Sequence, residues 1–408
     1  MPLLMPAMMV MPALIMAFSD GDDKTVLVVD QSQTVGQSLT DEGPIKFAQA
    51  PADVDWRAEL RDGKAEAVLV IPPSIENSGE TSVELYTDGP SSLTLESEIR
   101  GQVSDIIENH KLGQYDIQNL REIIDQVKTD VTVRNINVTD DEDKESSTIL
   151  SYMLGIVLTM LLYMCLLLYG QMVMTSIIEE KGNRVLELVV SSVKPMQLML
   201  GKICGIGLVA VTQILIWTVL IAAMSAFLLP AMLPADVMAD MATYNANPAA
   251  NVSTDVDMLQ ALSLMGNVGY ILQLFGLLLL FLVGGFMLYA AIYAAIGSAV
   301  DNIQDASQLQ SVVIFPIIFG IVFGMMAASD PTSSLSFWTS MIPFTSPMVM
   351  MARIPFGIPT WEIVLSLAIL YLSFFAMVWV AGKIYRVGIF MYGKKPTVRE
   401  LIRWINYK

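Results

Sequence analysis

Five long apolar runs fix what this chain can fold into: Ile149 to Val173, Ile203 to Leu229, Val268 to Ile296, Val312 to Ala328 and Ile363 to Ile384. A helix of about 20 mostly apolar residues crosses the hydrocarbon of a bilayer. Inside hydrocarbon, only a helix or a closed barrel satisfies its own backbone. Continuous runs of this length therefore predict membrane helices. A sixth run, Pro2 to Phe18, is shorter and holds Pro2, Pro6 and Pro12. No Lys or Arg precedes it, so it lacks the basic start of a signal peptide. It reads as a first span, residues 1–18, whose cytoplasmic lead-in is missing from this sequence. The expected class is a polytopic α-helical membrane protein with six transmembrane helices.

Charge divides the chain. From Ser19 to Thr148 there are 28 acidic and 11 basic residues, a net of −17; the rest holds 12 of each sign. The whole formal charge thus sits in one block, expected to be an acidic, water-exposed domain over 19–148 inserted between the first and second spans. An acidic block argues against nucleic acid as a partner. Lys24 to Asp30 and Ala65 to Ile71 are β-branched runs suited to buried strands. Ser82 to Tyr86 alternates and ends at the turn signal Asp88-Gly89-Pro90. From Ser92 to Val127 apolar residues recur at helical spacing, with Gly113 expected to break the run into two helices. The domain reads as α/β and is large enough for its own core. The run Asp140-Asp141-Glu142-Asp143 reads as a solvated linker beside the membrane.

Lys and Arg in short loops set orientation. Lys383, Arg386, Lys394, Lys395, Arg399, Arg403 and Lys408 face a single acid, Glu400, after the last span. Lys181, Arg184, Lys194 and Lys202 lie between the second and third. Both segments are expected in the cytoplasm, and the tail over 386–408 carries the strongest bias. Counting spans then puts the acidic domain outside, with the loop Pro230 to Gly266, which has four Asp and no basic residue. Both chain ends come out cytoplasmic, and the expected location is the plasma or inner membrane, crossed several times.

Several chemistries lack their residues. No Gly-x-x-x-x-Gly-Lys-Ser/Thr loop for nucleotide phosphates occurs, and no Gly-x-Ser-x-Gly elbow. His110 is the sole histidine, which removes a His-x-x-x-His zinc site, and it reads as a surface residue. Cys165 and Cys204 lie in apolar runs and read as small packing residues. The span interiors are almost free of ionisable groups, which mark ion relays when present. Thr159, Tyr163, Tyr169, Gln213 and Gln273 are the interior polar groups, expected to pack helices together. Gly284-Gly285 and Gly320 with Gly324 are expected to let helices approach closely.

The segment between the second and third spans has internal order. Ile177, Ile178, Val185, Leu186, Leu188, Val189 and Val190 form an apolar stripe, with Glu179, Glu180, Lys181, Arg184 and Glu187 between them. Ser191-Ser192 interrupts it, and Lys194-Pro195 starts a new helix, with Pro195 near its first position. Two readings fit: an amphipathic helix lying along the inner leaflet, or a docking surface for a cytoplasmic partner. The run Glu-Glu-Lys-Gly-Asn-Arg-Val-Leu-Glu-Leu-Val-Val-Ser-Ser-Val-Lys-Pro-Met-Gln-Leu-Met-Leu-Gly-Lys, Glu179 to Lys202, closely resembles the motif of ABC type-2 exporter permeases. It is most similar to the branch that includes bacterial sodium-efflux permeases. The layout agrees with the resemblance: one span, a large outside domain, then five spans over 149–385.

The resemblance implies a transport subunit rather than an enzyme. Two permease subunits, in a homo- or heterodimer within membrane lipid, would pair with two cytoplasmic ABC ATPase subunits. ATP and Mg²⁺ would sit on those partners, leaving this chain with no cofactor or metal. A coupling helix at about 176–200 would seat in a groove of the ATPase. Glu179, Glu180, Lys181, Arg184 and Glu187 would make contacts there, and Lys194 and Pro195 would shape the return into the third span. The loop with Asp301 and Asp305 is a second candidate contact. A re-entrant helix is expected between Phe344 and Ile358, with Met348 to Met351 and Arg353 on its inner side. Na⁺, drugs and small amphiphiles are the candidate substrates for export. A different class, a membrane-anchored sensor or assembly protein that recognises ligands through its outside domain, stays open on the sequence.

Overall fold

The computed structural model describes residues 24–32, 35–41, 45–50, 56–61, 65–73, 81–89, 91–112, 131–137, 144–145, 148–183, 193–228, 233–246, 259, 262–264, 266–393 and 397–405. The expected first span, the second half of the 92–127 helical run, the acidic run 140–143 and the connector residues Arg184 and Glu187 lie outside them. The chain forms two compact units. One gathers the described residues up to Tyr152 with Ala246 and Ser329–Leu335; the other gathers the rest.

The first unit is built on a six-stranded mixed sheet. Its strands are β1 (Lys24–Asp30), β2 (Ile45–Gln49), β3 (Ala67–Ile71), β4 (Thr81–Thr87), β5 (Val131–Asn137) and β6 (Lys144–Glu145), in spatial order β2-β1-β3-β4-β5-β6. β1 runs parallel to both β2 and β3, while β3 and β4 are antiparallel. Strand side chains alternate between faces, and both faces here are covered. Val26, Val28, Leu69, Ile71, Val83 and Leu85 pack with Ile99, Val103 and Ile107 of helix α2 (Leu93–Leu112). Leu27, Val68 and Tyr86 pack on the opposite side with Leu60 of helix α1 (Trp56–Arg61). The near-continuous apolar character of β1 and β3 is explained by this double coverage. Helix α2 is described as far as Leu112, and Gly113, the expected break, lies outside the described residues. His110 is exposed, as expected. Lys24 is buried at the start of β1, and its Nζ lies 2.6 Å from Oδ2 of Asp330.

The second unit is a helical bundle. Helices α3 (Thr148–Gly182), α4 (Pro195–Ala223), α6 (Val268–Ala299), α7 (Ile303–Ser329) and α10 (Thr360–Gly388) are long and apolar enough to cross a membrane, the qualifying part of α7 being Leu309–Ser329. Among the described residues these five are the candidate spans. Helix α5 (Ala235–Ala246) lies in the loop after α4, and α4 ends in a π-helical turn over Met224–Leu228. Helix α6 is the central element: most of its second half is buried, rich in Ala and Gly, and lined by α4 and α10. Several spans extend past the apolar runs, α3 to Gly182 and α10 to Gly388. A formed helix adds a backbone hydrogen bond for each further residue, so the polar residues continue it.

A short buried helix lies within the segment where a re-entrant helix is expected. Helix α8 (Ser334–Met341) leads to α9 (Ser346–Arg353), and all eight residues of α9 are buried. Thr159 of α3 donates to the carbonyl of Met348 at 3.0 Å, and Tyr289 of α6 donates to that of Phe344 at 2.5 Å. Gly285 admits Pro347 and Gly320 admits Met348, so the glycine pairs do carry close approaches, here to α9. A helix α11 (Val398–Trp404) closes the described chain, with Thr397 and Glu400 forming a capping box.

Candidate functional site

The motif between the second and third apolar runs falls where α3 ends and α4 begins. Residues 176–182 are the last turns of α3, and 195–200 are the first turns of α4. The flanks of the coupling helix expected at about 176–200 thus belong to the long helices, Val193 and Lys194 are not helical, and residues 184–192 between them lie outside the described residues. Lys194 caps α4 in extended conformation, and Pro195 takes the first helical position, where its missing N–H costs nothing.

The three charges at the end of α3 have different surroundings. Glu179 is exposed. Glu180 faces the next helix: its Oε2 lies 2.5 Å from Nζ of Lys202, which also donates to the carbonyl of Ser176 at 3.1 Å. This pair joins the two flanks of the connector. Lys181, expected at a partner surface, is fully buried.

The Lys181 ammonium meets three oxygens, two carbonyls through hydrogen bonds and one carboxylate as an ion pair. It donates to the carbonyl of Ser298 at 2.8 Å and to that of Gly388 at 3.0 Å, and it pairs with Oδ1 of Asp301 at 3.0 Å. Ser298 and Gly388 are the last residues but one of α6 and the last of α10. Their carbonyls belong to the final turn, where a helix leaves acceptors without internal partners and its dipole favours a cation. Asp301 completes the arrangement, for its Oδ2 accepts the backbone N–H of Gly393 at 2.6 Å. The Tyr392 ring lies 5.2 Å from the ammonium. A buried charge is tolerated only when paired and hydrogen-bonded, and this one is.

Two glycines make the convergence possible. A Cβ at Gly388 would sit 2.6 Å from Oγ of Ser298 and 3.0 Å from its carbonyl oxygen. A Cβ at Gly297 would sit 2.9 Å from the carbonyl oxygen of Met174 on α3. Any side chain at either position would push apart the helix ends that share Lys181.

A second buried ion pair lies at the other end of the bundle. Arg353 of α9 pairs with Glu362 in the first turn of α10 at 2.8 Å and donates to Oγ of Ser340 on α8 at 2.9 Å. Ser366 of α10 donates to the carbonyl of Ser340 at 2.7 Å. Among the described residues no group of three His, Cys, Asp or Glu side chains converges as metal ligands. Of the interior polar residues, Tyr169 donates to Gln213 across α3 and α4, a packing contact.

Sequence reasoning named Lys181, Asp301, Glu180 and Lys202 but not their pairings. One signal was available: the membrane body carries equal numbers of acids and bases, and several lie where apolar runs end. Which acid meets which base depends on helix neighbours, which no local pattern encodes. Asp305, expected with Asp301 in a loop, lies in the first turn of α7 and accepts from Asn302 at 3.0 Å.

Comparison with known proteins agrees with the architecture. The family model described as ABC-2 family transporter protein matches residues 1–383. The uncharacterized protein YhaP of Bacillus subtilis is 26% identical over 304 residues, 70% of this chain and 67% of that protein. The uncharacterized protein MJ1024 of Methanocaldococcus jannaschii is 25% identical over 353 residues, 86% of this chain and 76% of that protein. No solved structure matches the chain significantly. A family match over nearly the whole length, on a bundle of several membrane-spanning helices, leads to one conclusion: this multi-pass membrane protein belongs to the ABC-2 transporter family.

Proposed function

We propose that this chain is the transmembrane subunit of an ATP-binding cassette exporter and that it docks its ATPase through the connector between α3 and α4. The observation that carries the reading is the exposed pair Glu179 and Lys194 on the two flanks of that connector, in a chain of the ABC-2 family. Exposed charges at such a point suit a partner interface, where they fix register and specificity. The docking assignment is for Glu179 and Lys194 with Arg184 and Glu187 between them, while Glu180 and Pro195 set the path of the connector. ATP and Mg²⁺ belong to the partner subunit, and a second permease copy completes the pathway. The basic tail and the basic connector support a cytoplasmic position for that end of the bundle. On that orientation the acidic α/β unit and the α8–α9 segment lie outside, and the apolar run at residues 2–18 supplies a sixth span. Export of Na⁺ fits the motif of the connector, and small amphiphiles are the competing cargo.

The experiment is co-expression with an ABC ATPase encoded beside this chain, in a host sensitised to both Na⁺ and drugs. Co-purification and gained tolerance to Na⁺ are the expected results. Tolerance gained only to drugs would replace the cargo, and no co-purification with any ABC ATPase would overturn the docking reading.

A further inference from the structure

We propose that Lys181 is the transmission joint of this permease, the residue that makes a push on the connector move α3, α6 and α10 together. The idea rests on the reading of the connector as the ATPase-docking segment. Lys181 stands one residue from the end of α3, directly before the connector. Its ammonium is shared by the last turns of α6 and α10 and by Asp301. Asp301 in turn holds the backbone just past α10 through Gly393. One cation therefore gathers three helix ends and the turn leading into α7. A displacement at the end of α3 must carry these elements along or break two hydrogen bonds and an ion pair of a fully buried ammonium.

Position also separates Lys181 from its neighbours in the motif. Glu179 is exposed, and Glu180 reaches sideways to Lys202 at the start of α4. Only Lys181, among the described charges of the motif, points into the bundle. A buried ion pair is a poor source of net stability against an apolar replacement, and fixing a unique arrangement is its better-attested role. The glycines at 297 and 388 fit this account, since their lack of a side chain is what lets α3, α6 and α10 converge on one ammonium. Lys181 is thus a positioning residue, acting through the helix ends rather than on cargo or nucleotide.

The test uses the purified permease in lipid nanodiscs as wild type, Lys181→Met, Asp301→Asn and the double variant. Hydrogen–deuterium exchange, without ATPase, reads the joint itself. Lys181→Met should speed exchange over residues 389–393 by about tenfold, because loss of the ammonium frees Asp301 and the end of α10. Titration into the purified ABC ATPase then reads transmission. Affinity for the ATPase should stay within about twofold of wild type in every variant. The change in maximal ATP hydrolysis that the permease imposes should fall by about fivefold or more, a coupling loss at the low end of the usual range. The double variant balances charge yet lacks the joint, so it should fold like wild type and remain uncoupled. Unchanged exchange at 389–393 would overturn the joint. So would affinity and maximal rate falling together, or full recovery of rate in the double variant. Failure of the wild-type permease to bind the ATPase would instead overturn the docking reading.

Discussion

Replacing Arg353 by Met should unseat the short buried helix α9. Arg353 and Glu362 lie 2.8 Å apart, with side chains only 3% and 10% exposed. At an effective dielectric of 20, two unit charges at that distance attract by about 6 kcal/mol. Much of that is offset by the cost of taking both ions out of water. Arg353→Met removes the attraction but leaves the Glu362 carboxylate buried without its cation, and breaking one side of such a pair costs about 3 to 5 kcal/mol. The double variant Arg353→Met/Glu362→Gln removes both charges and should recover most of that loss, to within about 1 kcal/mol of wild type. Equilibrium unfolding in mixed micelles, followed by Trp fluorescence, measures the difference. Trp338 and Trp361 lie near the site on α8 and α10, and the Trp361 ring lies 6.0 Å from that of Phe337, tilted by 51°. A single variant within about 1 kcal/mol of wild type, or a double variant as unstable as the single, would show that the pair is not what seats α9.

Four further outcomes follow from particular contacts. Glu179→Lys should weaken binding of the ATPase by about tenfold while leaving the melting temperature unchanged, since an exposed charge at an interface rim acts on association; binding assays and a thermal scan separate the two. Glu180→Gln should lower stability by only about 0.5 to 1 kcal/mol, because its partly exposed pair with Lys202 is screened by water and salt; a larger loss in micelle unfolding would mean the connector flank depends on it. Leu69→Ala, at a fully buried position in β3, should cost about 2 to 5 kcal/mol in the sheet unit; accelerated hydrogen exchange confined to the sheet unit checks this. N-ethylmaleimide should modify exposed Cys204 well before buried Cys165, and mass spectrometry of a time course would show the reverse order if α4 were packed differently.

Part of this architecture is legible in the residues themselves. Periodicity shows which stretches are helices, and length with apolarity shows which can cross a bilayer, because a helix satisfies its own backbone and needs no neighbour to form. Three of the six described strands, β1, β3 and β4, declare themselves through β-branched or alternating runs, while β2, β5 and β6 take their place only through pairing with neighbours. The start of α4 at Pro195 follows from ring chemistry that fixes one dihedral angle. Charge bias along the loops is likewise a property of the chain as written.

Other features exist only once helices have neighbours. Where α3 ends could not be read from its apolar run, because its last turns are polar residues held by Lys202, Ser298 and Asp301. The motif named a row of charges, and the packed bundle sorted the three described at the end of α3 into one facing out, one joining helices and one buried whole. The same holds for Arg353, which finds its acid nine residues later only because α9 folds into the bundle beside α10. Local sequence sets which segments are regular, since propensity and burial pattern act over a few residues. The pairing of buried charges depends on the crossing of elements far apart in the chain, and only tertiary packing decides it.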